Sequence, residues 1–214
     1  MTPRTLALAA LLLIARPIAA QVISVPMPNE ARRPIALAAS FGFLQTQSRF
    51  DGQSGAYWGL GEALATRASV EVGLRSGSLG IAASLASVPI NRSGGTAPPN
   101  SRGNIQLRQL LGTFRTPETE GAHQILEVGL GVSQWAGYSG SDVLSADEAK
   151  PRNAFTLVVG YGFGFTLGER ASLTLVQDMG TLWGSAEGLP SGQSRMVRQY
   201  TTRLGLRYRF RGGR

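Results

Sequence analysis

The sequence contains no cysteine, and two other residue types that often carry chemistry are almost absent. Its 214 residues include one histidine, His123, and one lysine, Lys150. Without cysteine the chain has no disulfide framework, no thiolate metal site and no cysteine for a lipoprotein anchor. A single histidine also excludes a histidine-rich metal site, so the composition leaves few routes to metal chemistry.

His123 is the one histidine that could act as a catalytic base, and its surroundings argue against that role. It follows residues 116–121, which predict a short turn. A hydrolase would need a serine and a carboxylate within hydrogen-bond reach of the histidine, and no spacing in the sequence indicates them. We therefore expect a solvated turn histidine, no catalytic residue and no cofactor. Asp142, Asp147 and Glu148 match no calcium-loop spacing, so no metal site is expected either.

No apolar run is long enough to span a membrane as a helix, which takes about 20 residues. The run over 6–15 follows Arg4 and precedes the small residues of 18–20. A positive start, a short apolar core and a small-residue site predict a cleaved secretory signal peptide over 1–20. Residues 21–35 contain three prolines and no periodicity, and we expect a flexible periplasmic lead-in.

What the chain does contain is alternation, most clearly over residues 154–167. Every second residue, here called one parity of the strand, is large and apolar: Phe155, Leu157, Val159, Tyr161, Phe163, Phe165 and Leu167. The other parity is small or mildly polar, with three glycines. Because side chains alternate between faces along a strand, this pattern predicts a strand. A soluble sandwich would carry charge on the second face, whereas a small closed barrel would enclose the glycines and turn the large face to lipid.

The rest of the body divides into similar segments, and one of them has two interpretations. The apolar residues before and after 76–78 have opposite parity, so residues 69–88 form either a hairpin or one bulged strand. The hairpin gives nine strands, and the bulge gives eight, the even number usual for bacterial barrels. We adopt the bulge, preceded by a strand over 57–64 and a turn at Thr66-Arg67.

With eight strands, the connections are asymmetric. Long polar connections lie at one end, over 48–55, 89–103, 137–153 and 183–196. Short turns lie at the other, near 66, 116–121 and 168–170. Long outer loops and short periplasmic turns are typical of outer-membrane barrels. Trp58, Trp135 and Trp183 all lie at the long-loop end, which predicts an aromatic belt at that membrane interface.

The last strand, over 197–210, carries the most specific motif. Arg203, Gly205, Tyr208 and Phe210 match a pattern of polar residue, any, glycine, two of any, aromatic, any, aromatic. Over 36–210 the chain resembles the small eight-stranded outer-membrane barrels of the OmpA/OmpX type, whose closing strand carries this pattern as an assembly signal. The resemblance implies an all-β, eight-stranded antiparallel up-and-down transmembrane β-barrel that is recognised by the barrel assembly machinery. The tail 211–214 departs from that family, in which the aromatic is usually the final residue.

Charged residues within the strands should point away from lipid. With the apolar parity outward, a lumen charge network is predicted from Glu71, Arg75, Arg108, Glu127, Asp178, Arg203 and Arg207. Eight strands enclose only enough space for side chains to fill, and buried charges must pair. We therefore expect a closed interior, with a gated conduit as the alternative. Glu62 breaks the parity rule, and a local register change would account for it.

Arginine supplies nearly all of the positive charge behind the formal net charge of +8. Five arginines in or beside the long loops are possible contacts for lipopolysaccharide phosphates: Arg49, Arg92, Arg102, Arg152 and Arg195. Arginine binds such groups bidentately, and the alternative is solvated loop charge. Nucleic acid is not an expected partner, because the sequence shows neither a basic helix nor an aromatic stacking sheet.

Two functions and a weaker third follow. The first is a non-enzymatic, monomeric barrel in the outer membrane of a Gram-negative cell, acting in membrane integrity or in surface interaction through its long loops. The second is a small transporter or channel for apolar or small solutes, which would need an apolar lumen and a lateral opening. The third is a soluble exported barrel that binds a small ligand. The polarity of the outward face distinguishes the third from the others.

Overall fold

The computed structural model is a closed antiparallel β-barrel. It describes residues 34–52, 54–95, 101–140, 150–185 and 188–210. The predicted signal peptide, nearly all of the lead-in, the acidic residues of 142–148 and the tail lie outside the described residues. The strands are β1 Ile35–Thr46, β2 Arg49–Asp51, β3 Ala56–Leu60, β4 Ala63–Leu74, β5 Gly77–Ser93, β6 Ser101–Arg115, β7 Ala122–Gly140, β8 Arg152–Leu167, β9 Ala171–Trp183 and β10 Met196–Phe210. Among the described residues, no helix is long and apolar enough to cross a membrane.

Eight of these strands form the barrel wall, in the ring order β1, β4, β5, β6, β7, β8, β9, β10. The ring closes because β1 pairs with β10 from Ile35↔Phe210 to Thr46↔Gln199. Closure leaves the sheet with no unpaired edge. The predicted all-β, eight-stranded antiparallel up-and-down barrel is confirmed.

The connections separate into a loop end and a turn end. The loop end holds the connections over 47–62, 94–100, 141–151 and 184–195, and the turn end holds those over 75–76, 116–121 and 168–170. The second and third loops are shorter than predicted because β5 continues to Ser93 and β7 to Gly140.

Residues 69–88 form a hairpin, so the predicted bulged strand is wrong. β4 and β5 pair antiparallel as far as Leu74↔Gly77, and a two-residue turn joins them. Gly77 has a φ of 149°, and a Cβ there would lie 2.1 Å from the carbonyl oxygen of Arg115. Only glycine fits that position, and its place directly after the turn fixes where the chain reverses.

The strand count remains eight because the strand predicted over 57–64 does not cross the barrel. Its first part is β3, which pairs with β2 in a short hairpin and with the loop end of β5. Thr66 and Arg67, predicted to form a turn, lie inside β4. The hairpin of β2 and β3 therefore belongs to the first loop and not to the wall.

Glu62 lies where the pairing with β5 changes register. The pairs shift by one residue between Leu60↔Ile90 and Ala65↔Ala86. As a result Trp58 turns inward while Glu62 turns outward, and its Oε1 accepts a 2.8 Å hydrogen bond from Nε2 of Gln45. The local register change inferred from its parity is present.

The outer wall of the barrel is apolar. On β8, Phe155, Phe163 and Phe165 are 52, 57 and 52% exposed, whereas the small parity of the same strand lies inside. Across the described residues, 27 large hydrophobic side chains are exposed. A continuous exposed apolar surface of this kind marks contact with lipid or a partner and not with water.

The glycines on the inner face of β8 make room for titratable side chains of its neighbours. A Cβ at Gly160 would lie 2.4 Å from Oδ1 of Asp178 on β9. A Cβ at Gly164 would lie 2.4 Å from Nε2 of His123 on β7. The glycine face noted in the sequence thus leaves the space that the side chains of Asp178 and His123 occupy.

Candidate functional site

The interior toward the turn end is filled by ion pairs, here called the ionic layer. It contains four arginines and four carboxylates: Arg67, Arg115, Arg203, Arg207, Glu71, Glu118, Glu127 and Asp178. Glu127 on β7 pairs with Arg67 on β4 and, at 3.0 Å, with Arg203 on β10. These strands lie three places from β7 on either side of the ring, so the pairs cross the lumen.

The other ion pairs extend this layer along the wall. Nε of Arg203 donates to Oδ2 of Asp178 at 2.7 Å. Nε of Arg207 donates to Oε2 of Glu71 at 2.9 Å, and Oγ of Ser78 donates to the same carboxylate oxygen at 2.9 Å. Hydrogen-bonded pairing of this kind is what a buried charge requires.

Glu118 closes the turn end from the connection between β6 and β7. Its carboxylate accepts hydrogen bonds from Arg115 at 3.1 Å, from Arg207 at 3.1 Å and from Oγ of Ser172 at 3.0 Å. Its side chain is 4% exposed although it belongs to a turn. A turn residue therefore folds back into the barrel and completes the ionic layer.

His123 is buried beside Glu118, so its prediction as a solvated turn histidine is wrong. Its Nδ1 lies 3.2 Å from the carbonyl oxygen of Gly121, which fits donation from Nδ1. Its Nε2 has no hydrogen-bond partner among the described residues and lies 4.0 Å from Oε1 of Glu118. β7 starts directly after the turn, so the inward parity takes His123 into the lumen.

The structure places five of the seven predicted network residues in the ionic layer and two outside it. Glu71, Glu127, Asp178, Arg203 and Arg207 are inside and buried. Arg75 is exposed in the turn between β4 and β5, and Arg108 is exposed on the outer face of β6, so both assignments to the lumen are wrong. Arg67, Arg115 and Glu118 were missed. Arg67 shares parity with Glu71, and the wrongly predicted turn at Thr66-Arg67 hid that signal.

A neutral polar layer lies next to the ionic layer, on its loop-end side. It is formed by Ser84, Gln109, Ser133, Thr156 and Gln199. Nε2 of Gln109 donates to Oγ of Ser133 at 2.8 Å, and Oε1 of Gln109 accepts from Oγ of Ser84 at 3.1 Å. Side-chain hydrogen bonds thus join strands across the middle of the lumen.

The interior toward the loop end is an apolar plug. Its buried members are Leu44, Ala56, Trp58, Ala63, Ala86, Val88, Ile90, Ile105, Leu107, Trp135, Ala154, Leu182 and Val197. Trp58 and Trp135 are 4 and 0% exposed, so their prediction as members of an outer aromatic belt is wrong. Trp183 lies on the outer wall, where its ring centre is 5.7 Å from that of Phe155. Trp58 and Trp135 therefore fill the lumen at the loop end, whereas the sequence predicted that they would lie on the outer surface there.

The hairpin of β2 and β3, residues 49–60, covers the plug and is here called the lid. Asp51 in the lid is buried and accepts hydrogen bonds from Arg152 of β8, from Nε at 3.3 Å and from Nη2 at 3.0 Å. Oγ of Ser54 donates to the same carboxylate at 2.6 Å. The guanidinium groups of Arg49 and Arg152 lie 5.6 and 5.5 Å from the centre of the Trp58 ring.

The direction of the pKa shift of Asp51 indicates which form of this carboxyl group holds the lid. Burial by itself would raise the pKa of this carboxyl, but the hydrogen bonds from Arg152 and Ser54 and the nearby Arg49 hold the pKa below its ordinary value. The ionised carboxylate is therefore the form that keeps the lid attached to β8.

Three of the five arginines predicted to contact lipopolysaccharide are engaged in the lid region. Arg49 is half-buried, and Arg92 and Arg152 are buried, with Arg92 5.6 Å from the centre of the Tyr138 ring. Each packs on an aromatic ring of the loop end, which argues against a contact with a lipid phosphate, and their role as possible lipopolysaccharide contacts remains a prediction. Arg102 and Arg195 are exposed.

The predicted assembly signal lies on β10, the strand that closes the ring. Tyr208 and Phe210 point outward at the turn end, with their ring centres 5.1 Å apart. Arg203 points inward into the ionic layer, and Gly205 also points inward. The role of these four residues in assembly remains a prediction.

Little free space remains inside the barrel. Among the described residues, one cavity in the lumen, around the polar layer, is about 30 Å³, and another, beneath the lid, is about 10 Å³. Either holds about one water molecule. Among the described residues, no three His, Asp or Glu side chains converge as metal ligands.

Comparisons with known proteins agree with this architecture at the level of fold. No protein-family model matches the chain, and a comparison with curated proteins finds no match. The outer membrane protein OprG of Pseudomonas aeruginosa is 14% identical with a TM-score of 0.50, over 86% of this chain and 99% of its own. Neisserial surface protein A is 12% identical with a TM-score of 0.50, over 82% of this chain and 97% of its own. The chain has the fold of the small eight-stranded outer-membrane β-barrels.

Proposed function

We propose that the chain is a closed outer-membrane barrel that acts without catalysis, in membrane integrity or in surface interaction through its loop end. The filled interior is the observation that carries this proposal. The ionic layer, the polar layer and the apolar plug follow one another along the lumen, with a cavity of about 30 Å³ around the polar layer and one of about 10 Å³ beneath the lid. A hydrated ion or a small solute has no continuous path through such a lumen.

The apolar outer wall supports placement in a membrane over the soluble ligand-binding alternative. A soluble barrel of the lipocalin kind turns polar residues outward and keeps an internal cavity for its ligand. Here the exposed parity carries large apolar side chains, such as Phe41, Phe43 and Ile81, and the lumen is filled. The outer-membrane location and the cleaved signal peptide are part of the proposal.

The surroundings of the single histidine support a role without catalysis. Oγ of Ser172 donates to Glu118, and Oε1 of the same carboxylate lies 4.0 Å from Nε2 of His123. A hydrolytic triad instead needs the histidine between the serine and the carboxylate. Among the described residues, His123 makes no hydrogen bond to a serine. The buried cluster is thus arranged as a structural network.

One observation favours the transporter alternative. The part of the lumen toward the loop end is apolar, and it is covered by a lid that is joined to β8 through Asp51 and Arg152. An apolar solute would find a compatible chamber there if the lid opened. The closed proposal is favoured because Trp135, which belongs to the wall strand β7 and not to the lid, occupies that chamber.

Two measurements test the proposal. Membrane fractionation should recover the protein with the outer membrane, and its electrophoretic mobility should change on heating; recovery in the soluble periplasm would contradict the membrane location. Planar-bilayer recording of the refolded protein should show no unitary currents. Stable currents from the wild type would overturn the closed lumen and favour the transporter alternative.

A further inference from the structure

The outer face of β6 is polar over its loop-end half. From the loop end inward, its outward positions are Arg102, Asn104, Gln106 and Arg108, here called the β6 stripe. Leu110, the next outward position, is 53% exposed and apolar. Four successive polar positions on a face that turns to lipid are costly unless they meet a polar partner.

Arg108 is the deepest charged residue of this stripe. It pairs across the sheet with Leu85 of β5 and Gln134 of β7, and Leu85 is an exposed apolar residue of the wall. Both Nε and Nη2 of Arg108 donate to Oε1 of Gln106, at 3.2 and 2.7 Å. Gln106 lies two residues, about 7 Å along the strand, nearer to the loop end, so the guanidinium is directed toward that interface.

Amide groups continue the polar surface beside Arg108. Gln134 of β7 pairs with Asn153 of β8, and Nε2 of Gln134 donates to Oδ1 of Asn153 at 3.1 Å. These residues border an open groove of about 780 Å³ whose apolar side is formed by Ala83, Leu85, Leu110 and Val132. Among the described residues, Arg108 has no carboxylate partner. The groove therefore combines an uncompensated cation with an apolar surface.

We propose that this groove binds a phosphate-bearing lipid of the outer leaflet, with Arg108 as a ligand of the phosphate and an acyl chain against Leu85, Leu110 and Val132. Arginine binds phosphate bidentately, and neighbouring amides donate to its remaining oxygens. The inference rests on the membrane location in the proposed function and is independent of whether the lumen conducts.

A second copy of the chain is the less favourable occupant. A two-fold interface through this face would bring the Arg108 side chains of both copies toward one patch, without a carboxylate in that patch to compensate them. Charge complementarity thus favours an anionic lipid.

The test uses the refolded full barrel in phosphatidylcholine nanodiscs that contain either phosphorylated or dephosphorylated lipid A. The lipid retained after release from the disc is measured by native mass spectrometry, and heat-modifiable mobility first confirms that each variant is folded and inserted.

Arg108→Gln should lower retention of phosphorylated lipid A at least about tenfold, the loss expected for a charge-assisted contact. Arg108→Lys should lower it less. Arg198→Gln is the matched control, because Arg198 is exposed on β10, across the ring from β6.

Wild-type retention should also fall when the lipid A is dephosphorylated, a comparison that needs no variant. Equal retention of the two lipids by the wild type, or equal losses in Arg108→Gln and Arg198→Gln, would overturn the proposal. A dimer that is present without lipid A and abolished by Arg108→Gln would assign the groove to a second copy instead. A wild-type protein that never inserts would contradict the proposed function, and the mobility control separates that outcome from a failure to bind lipid.

Discussion

The two ends of the lumen are closed by different kinds of contact, although the same strands form both. The turn end is held by directional ion pairs that fix particular atoms, such as Arg203 against Asp178. The loop end is filled by nondirectional packing around Trp58 and Trp135 and is covered by a lid from the first loop. The ionic half should therefore specify how distant strands face each other, and the apolar half should supply most of the burial.

Of the changes that distinguish the two ends of the lumen, removal of the Trp135 side chain should lower the stability of the barrel most. Trp135→Ala should lower the free energy of unfolding by about 3–5 kcal/mol, because it leaves a large cavity in the plug. Trp135→Phe should cost about 1 kcal/mol, since Nε1 of Trp135 has no hydrogen-bond partner among the described residues. Urea unfolding in lipid vesicles measures both. Trp183→Ala on the outer wall is the control, and a loss as large as that of Trp135→Ala would contradict the plug.

The next prediction concerns the ionic half. Glu127→Gln should destabilise the barrel by about 3 kcal/mol, because Arg67 and Arg203 lose a shared carboxylate while they remain buried. Glu120→Gln, at an exposed position in the turn before β7, is the control and should be nearly silent. Urea unfolding of the two variants side by side measures the difference. If Glu127→Gln is also silent, the pairs do not hold the turn end.

A smaller loss of stability should follow when the space that β8 leaves for the Asp178 side chain is filled. Gly160→Ala should cost about 1–3 kcal/mol, because its Cβ would lie 2.4 Å from Oδ1 of Asp178. Gly112→Ala on β6 is the matched control, since its nearest atom would be 3.8 Å away, at the carbonyl oxygen of Leu130. Thermal loss of heat-modifiable mobility compares the two. Equal thermal shifts would show that the space for the Asp178 side chain is not the reason that position 160 requires glycine.

The smallest effect should be on the lid and should appear only in acid. Because the pKa of Asp51 is lowered in the folded protein, its contribution is present above the ordinary carboxyl pKa of about 3.9 and is lost as the pH falls through the lowered value. Iodide quenching of Trp58 fluorescence, in a background with Trp135→Phe and Trp183→Phe, should increase over that acidic range. Asp51→Asn should show high quenching already at neutral pH. Quenching that stays low in both cases would show that the lid does not depend on this carboxylate.

The barrel itself was predictable from sequence because alternation over each strand is a local property. Parity shows which residues share a face, and the parity of Phe155 and Phe163 gave the correct outward face of β8. Parity does not show whether the chain turns back. The opposite parity on either side of 76–78 fits a bulge as well as a hairpin, and the hairpin is set by contact with β6, which lies later in the chain.

The predicted placement of Arg108 and of two tryptophans failed for one physical reason. The lumen is apolar toward the loop end, so on that part of β6 the large apolar residues Ile105 and Leu107 lie inside while Arg108 lies outside. The rule that apolar residues face lipid therefore loses its meaning over half of the barrel. The pair of Asp51 and Arg152 was also beyond prediction, because a folded loop brings together residues separated by 101 positions.

The pairing of β1 with β10 also constrains the order of folding. The first and last strands meet over the whole range from Ile35↔Phe210 to Thr46↔Gln199, so the ring cannot close until the final strand is present. Until then two long strand edges, with the apolar wall between them, are open to other chains. Such non-local closure is intrinsically slow and exposed to aggregation. A chain that stops short of β10 should therefore be cleared or aggregate as a whole, and not persist as a smaller barrel.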